Sequence, residues 1–546
     1  MNYLDWLVIA GYIAIIIALA IYLLRKQRDI QDYYLAGKKI KWWQSGASTM
    51  ATQLGAISFV SAPAFVALKD SGGLKWLCYE FGVPLALILV MAVIIPILHR
   101  HDYISIYEYL EDRFDSGTRT LVSLLFQLGR GLATAVSVLA GGLILSTALA
   151  IPTSTAIVLI GAITIVYDVL GGIRVVILSD VLQMMIIAAG ILICGGVAWY
   201  LVGWEGGWTS LSPDRLRILD FKHWGLSSEG EYAFWPMTIG GMFLYASYYG
   251  CDQSQVQREL TVGSVDNVRK SLMVNALGRF PLVLLYCAMG VFVGAVLAQP
   301  ESVARVASNL QKDTTEVTQT QQKYPDTKVP LFILSFLPHG LIGFIFVAIM
   351  AALMSSLDSG LNSLSAVTMR DFYQKYVGKD RDDRHYLFAS KMMTLFWGIF
   401  CVAAALVFAN VGESTRQTTI VLINAVGSLL YGPILAAFLL GMLAKVVTPG
   451  AVKVGVLAGI LVNLVLWMFT TISWLWWNVT GFAAAITVAL LMSLGQRTKL
   501  QLIISSLIFS PDQEEKTSIN WPLIYKLVSL YFLLIVLICY LIEKSI

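Results

Sequence analysis

The sequence predicts an all-α polytopic membrane protein with about 14 transmembrane helices, and three observations predict it. The chain is 57% hydrophobic and only 13% charged, with a mean hydropathy of +0.73, which excludes a soluble globular domain. Its apolar residues fall in runs near the ~20 residues that cross a bilayer, at 4–24, 43–68, 76–98, 120–150, 153–168, 175–203, 232–258, 271–298, 330–370, 388–410, 416–443, 448–470, 475–494 and 521–542. The gaps between those runs carry unequal positive charge, as the gaps of a membrane protein do.

The first run has no basic segment before it and is followed by Arg25, Lys26 and Arg28, so it reads as a retained span with its N-terminus outside rather than a cleaved signal peptide. On that start, the inner gaps hold more than twice as many lysines and arginines as the outer ones, and the C-terminus also falls outside. The expected setting is a bacterial inner membrane or a plasma membrane, with the lipid bilayer as partner. The net charge of +4 follows from the loop bias and implies no nucleic acid. All six cysteines lie in the runs, where they act as small apolar residues. The five histidines are scattered without ligand spacing.

The second run is interrupted by polar and small residues from Ser48 to Ser58 around Gly55, and the seventh from Tyr248 to Arg258 around Gly250. Five spans separate their starts. That spacing fits two inverted five-helix units, each opening on a discontinuous helix whose freed carbonyls bind ions and solute near the midplane. The units run over approximately 43–203 and 232–443, with 4–24, 448–470, 475–494 and 521–542 peripheral. The gaps Trp204 to Glu231 and Gln299 to Val329 read as outer covers, and Arg497 to Asn520 as an inner linker.

Charged and hydroxyl residues inside the other runs mark candidate sites, because a carboxylate at the bilayer centre costs roughly 2.5 to 3.5 kcal/mol. Glu80 in the third run follows Lys75 closely and reads as interfacial. Arg130 stands mid-run between Gly129 and Gly131 and must meet an anion: Asp252, Glu80 or a solute carboxylate. Asp180 lies in the sixth run with Gln183 on its face, and Arg279 in the eighth can be read in the same way as Arg130, with snorkelling to the surface as the stronger reading. In the ninth, Ser355, Asp358 and Ser359 share one helix face, continued by Asn362. Hydroxyl and carboxylate oxygens suit a hard cation better than a soft metal.

Taken together, Ala51-Thr-Gln-Leu54, the segment Gly171 to Asp180 and Gln183, Tyr249 to Arg258, Met354 to Asn362 and Met369-Arg-Asp-Phe-Tyr373 resemble the sodium/solute symporter family, over nearly the whole chain. The resemblance implies an amino-acid-transporter-like core of five plus five inverted helices, Na+ as coupling ion and import of a small solute by alternating access. By position it implies a sodium site from the carbonyls of Ala51, Leu54 and Ala352 and the hydroxyls of Ser355 and Ser356. A possible second sodium site takes Asp180, Ser355, Asp358 and Ser359, with Asp358 standing where the family has Ser or Thr.

The likeness is to the branch of bacterial sialic acid transporters and monocarboxylate, iodide and vitamin carriers. It implies a carboxylate-bearing solute held by Gln53, Gly55, Ser58, Arg130 and Asp252, although Gly55 departs from a hydroxylated position. A sodium/sugar symporter is the alternative, for which Ile57-Ser-Phe-Val offers only Ser58 in place of an acidic and amide pair. A sodium-conducting channel or a transporter-like sensor is the alternative of another class; a sensor is expected to carry a signalling domain after the last span, and the chain stops at Ile546. No nucleophile, base and orienting group converge in the motifs, so an enzyme is not expected.

Overall fold

The computed structural model describes residues 1–24, 27, 29–67, 72–149, 151–227, 230–310, 313–315, 326, 328–410, 419–494 and 517–545. Arg25, Lys26, Arg28, residues 311–312, 316–325 and 327 of the predicted cover Gln299 to Val329, and most of the predicted linker Arg497 to Asn520 lie outside these residues. Among the described residues there are helices and no strands, as lipid requires of a chain that must satisfy its backbone internally. In order, the helices used below are α1 Tyr3–Leu24, α2 Ile30–Leu35, α3 Trp42–Gln53, α4 Ala56–Ala67, α5 Leu74–Arg100, α6 Ser116–Leu149, α7 Thr153–Thr209 and α8 Gly241–Cys251. They continue as α9 Gln253–Leu260, α10 Val265–Ala298, α11 Leu341–Val377, α12 Asp383–Asn410, α13 Thr419–Leu443, α14 Pro449–Phe469, α15 Trp474–Leu494 and α16 Trp521–Ser545.

Eleven described helices are each long and apolar enough to cross a membrane, or twelve when α3 and α4 count as one bent span. Two further spans hide in that count. Helix α7 has 57 residues, about 85 Å at 1.5 Å per residue, and it breaks at Gly172 (φ 58°, ψ −166°) and again at Gly203 (φ 72°, ψ 172°), so that 153–171 and 173–202 are two separate spans. A Cβ at Gly172 would meet both the ring and the carbonyl oxygen of Tyr33 at 2.7 Å, so the close approach of α2 also requires glycine there. The other span is α8 with α9, too short singly, joined across Asp252.

Burial separates core from rim. The apolar window of α11 is 83% buried and that of α16 only 17%. Helix α7 packs on α10, α11, α3 and α1, and α11 on α6 and α4 as well, so the elements that carry the buried polar residues lie at the centre. The predicted ninth span differs in detail: its start is a separate helix Lys328–Phe336, and α11 begins after Gly340, whose φ of 88° only glycine takes readily.

Candidate functional site

The site begins where α3 stops. Leu54 leaves helical geometry (φ −97°, ψ 51°), and its N–H donates to the carbonyls of Met50 and Ala51, each at 3.1 Å. Helix α4 restarts with the Ser58 N–H on the Gly55 carbonyl at 2.8 Å, bent 51° from α3. The interruption leaves carbonyls of this turn without their ordinary helical donors. Helix α11 faces it: the Ser356 hydroxyl donates to the Thr52 carbonyl and, along its own helix, to the Ala352 carbonyl, both at 3.3 Å. A Cβ at Gly55 would stand 2.5 Å from Ser356 Oγ and 3.6 Å from the Ala352 oxygen, so the missing side chain lets the break meet α11. The structure thus brings the interrupted helix, Ala352 and Ser356 together as an all-oxygen group suited to an alkali cation. Ser355 turns away, its hydroxyl donating to Asp180 Oδ1 at 2.5 Å.

Asp180 is fully buried. Its Oδ2 accepts from the Ser48 hydroxyl at 2.5 Å and from Arg258 Nη2 at 3.1 Å. The same Arg258 nitrogen donates to the Ser359 hydroxyl, and its Nε donates to Ser48 Oγ at 2.7 Å. Asp358 belongs to a different partner set, accepting from the Tyr167 hydroxyl at 2.6 Å and the Ser359 hydroxyl at 3.2 Å. The four residues expected to hold a second sodium therefore form two groups joined through Ser359, and a guanidinium that cannot deprotonate bridges Asp180 to Ser359. The motif Tyr249 to Arg258 contained this arginine, but nothing in its spacing says that it reaches back to α7.

Beside the break lies a polar cavity of about 120 Å³, room for several waters or a small organic solute. Gln53, Gly55, Ser58 and Arg130 all line it, as does Ser356. Arg130 donates from Nη1 to the Tyr248 hydroxyl at 3.2 Å, while its distance to Asp252 is a loose 3.9 Å and its buried Nε has no hydrogen-bond partner.

Asp252 departs from the expectation. It does not line this cavity; it caps α9, accepting from the backbone N–H and hydroxyl of Ser254 at 2.8 and 2.6 Å, and lines a smaller pocket on the other side of Arg130. The predicted break at Gly250 accordingly falls at Asp252, because a capping carboxylate starts the new helix. Gly250 instead makes room for Ile94, whose Cδ1 would lie 2.6 Å from an added Cβ.

Two further charges lie deeper than the stronger expectation for each. Glu80 is not interfacial: it is 1% exposed and accepts from Arg279 through Nε, from Arg279 Nη2 at 3.3 Å and from the Tyr245 hydroxyl at 3.1 Å. Arg279 therefore does not snorkel, and its Nη1 is buried without a hydrogen-bond partner. Both residues line the cavity, with Tyr79 and Tyr245. The available signal was one unmatched charge of each sign in separate spans, which a bilayer forces to meet.

A family model described as the sodium:solute symporter family matches residues 33–462. Among curated proteins, a sodium/glucose cotransporter of Vibrio parahaemolyticus is 28% identical over 480 residues, covering 84% of this chain and 84% of that protein. A sodium/sialic acid symporter of Proteus mirabilis is 27% identical over 496 residues, covering 88% and 92%, and the human sodium-coupled monocarboxylate transporter 1 is 27% identical over 469 residues, covering 84% and 72%. The solved outward-open structure of a Na+-coupled sialic acid symporter shares the fold, with a TM-score of 0.80 and 24% identity over 92% of this chain and 100% of that one.

Proposed function

The chain belongs to the sodium:solute symporter family, and from that premise we propose that it imports a small carboxylate-bearing organic solute with sodium by alternating access. Family membership makes it a sodium-coupled transporter of the membrane and not an enzyme. The solute reading rests chiefly on Arg130, a fixed cation in a polar cavity with one buried donor unpartnered and its internal counter-charge held off at 3.9 Å. A carboxylate entering the cavity completes that donor set with charge-assisted hydrogen bonds. Gln53 and Ser58 offer further polar contacts from the two sides of the break, and relatives named for sialic acid and monocarboxylates agree in chemistry. Asp252 serves as the resting counter-charge of Arg130 rather than as a solute ligand.

We place sodium at the break, held by the carbonyls of Ala51, Leu54 and Ala352 and the hydroxyls of Ser355 and Ser356, with Ser355 rotating from Asp180 to join. Ion binding would tie α3 and α4 to α11, and release would free them, so that the ion selects one side of the alternating cycle. One sodium carried with one carboxylate moves no net charge, so the sodium concentration gradient drives that pair, whereas a neutral solute carried with one sodium across 100 mV would gain about 2.3 kcal/mol, roughly a fortyfold gradient at ~1.4 kcal/mol per decade. The second sodium set, Asp180, Ser355, Asp358 and Ser359, would form only if Arg258 left Asp180. We place the two inverted units at about 43–203 and 232–443 and both termini outside.

A sugar is the second reading. Glu80 and Arg279 give the cavity a carboxylate and a guanidinium suited to hydroxyl groups at the end away from Arg130, and a sodium/glucose cotransporter is among the relatives. Uptake of labelled pyruvate, N-acetylneuraminate and glucose into proteoliposomes, with sodium against potassium, separates the two. Sodium-dependent uptake of an acid that is lost in Arg130→Ala supports the proposal. Uptake of glucose alone, or a solute-independent sodium current, overturns it.

A further inference from the structure

Asp168 stands apart from every group used so far. It is fully buried, and the side chain turned toward its carboxylate is the neutral amide of Asn362. It lies in the last turn of the first half of α7, just before the break at Gly172, where the negative end of the helix dipole opposes a carboxylate. Asn362 of α11, also fully buried, turns its Nδ2 to that carboxylate. The orientation of that amide is fixed, because its Oδ1 accepts from Gln257 Nε2 at 2.9 Å while the same nitrogen donates to the Tyr34 carbonyl at 2.9 Å. The polar atom turned toward Asp168 is thus an N–H donor, which repels a metal cation. Among the described residues no three acid, histidine or cysteine side chains are placed to share a metal ion.

The surroundings do not neutralise the carboxylate either. The titratable and charged groups facing it are Tyr33 and Tyr34 of α2, Tyr167 and Asp180 of α7, Asp358 of α11 and Arg258 of α9; α12 contributes Thr394, which bonds the Tyr33 hydroxyl at 3.1 Å. Arg258 is the one cation among them, and it bonds Asp180. Among the described residues no cation bonds Asp168, and its nearest polar partner is the neutral Asn362 amide, so a charge there is left without a paired counter-charge.

We propose that Asp168 is a proton-binding site that senses pH for this transporter and reports to α9 through Asn362 and Gln257. Gln257 precedes Arg258, so the proton's presence bears on the half-helix that holds Asp180 and, through Asp252, faces Arg130. The inference goes beyond the solute assignment and does not depend on which solute is carried.

The test has two readouts on the purified protein. The first is the melting temperature of wild type and Asp168→Asn in detergent and sodium between pH 4.5 and pH 8.5. Folding that binds a proton the unfolded chain releases loses stability as pH rises, so wild type should fall below the variant at pH 8.5 and the gap should narrow toward pH 4.5. The second is sodium-dependent solute uptake into proteoliposomes, which should change at least threefold between pH 5.5 and 8.5 in wild type and stay flat in Asp168→Asn, with sodium activation retained. A melting gap that does not vary with pH, or parallel uptake profiles, overturns the proposal. Loss of sodium activation in wild type itself would instead indict the transport reading.

Discussion

Arg130 is the residue on which the solute assignment turns. Its partners are a tyrosine hydroxyl and a carboxylate too far for a good hydrogen bond, so it keeps its fork of donors for something else. Arg130→Ala should lower uptake of the carboxylate about a hundredfold or more, since hydrogen bonds to charged groups are worth about 1.5 to 3 kcal/mol each. The fold should survive, because Asp252 keeps its capping bonds to Ser254; uptake rates alongside melting curves check both halves. Glu80 and Arg279 behave differently. Removing one member of a buried pair costs about 3 to 5 kcal/mol, whereas replacing both with apolar residues often costs little. Glu80→Leu should therefore destabilise strongly, and adding Arg279→Leu should restore much of the loss. A double variant as unstable as the sum of the single ones would argue against a mutually compensating pair.

At the scale of elements, the glycines and caps decide where helices break. Gly55 was legible as the first interruption because small and polar residues cluster around it, and the structure breaks there. The second interruption was legible only to within two residues: the pattern pointed to Gly250, but the capping chemistry of Asp252 set the break. The break at Gly172 was not legible, since one glycine of a pair gives no sign of its backbone angles. It has near glycine-only geometry, which costs another residue about 1 to 3 kcal/mol, and Tyr33 leaves no space for a Cβ. Gly172→Ala should lower the melting temperature markedly, while Gly450→Ala, with nothing within 4 Å of the added atom, should not. Equal behaviour of the two would mean that the turn in α7 adapts.

For the whole molecule, the bilayer made the architecture readable: runs of ~20 apolar residues count spans whatever their packing. Which charges meet was not readable, because Arg258, Asp180 and Ser359 lie on three helices far apart in sequence and only folding joins them. That junction bears on stoichiometry. With a guanidinium already bridging Asp180 and Ser359, sodium activation of transport should follow a Hill coefficient near one; a coefficient near two would mean that Arg258 gives way to a second ion during the cycle.

In the proposed cycle, one sodium ion couples the interrupted α3–α4 pair to α11 through the Ser356 hydroxyl. Sodium activation of solute uptake in Ser356→Ala proteoliposomes addresses it most directly. Loss of one oxygen ligand should raise the half-saturating sodium concentration about tenfold or more, on the order of 1.4 kcal/mol, with the melting temperature without sodium unchanged. A sodium curve that overlays that of wild type would contradict the account.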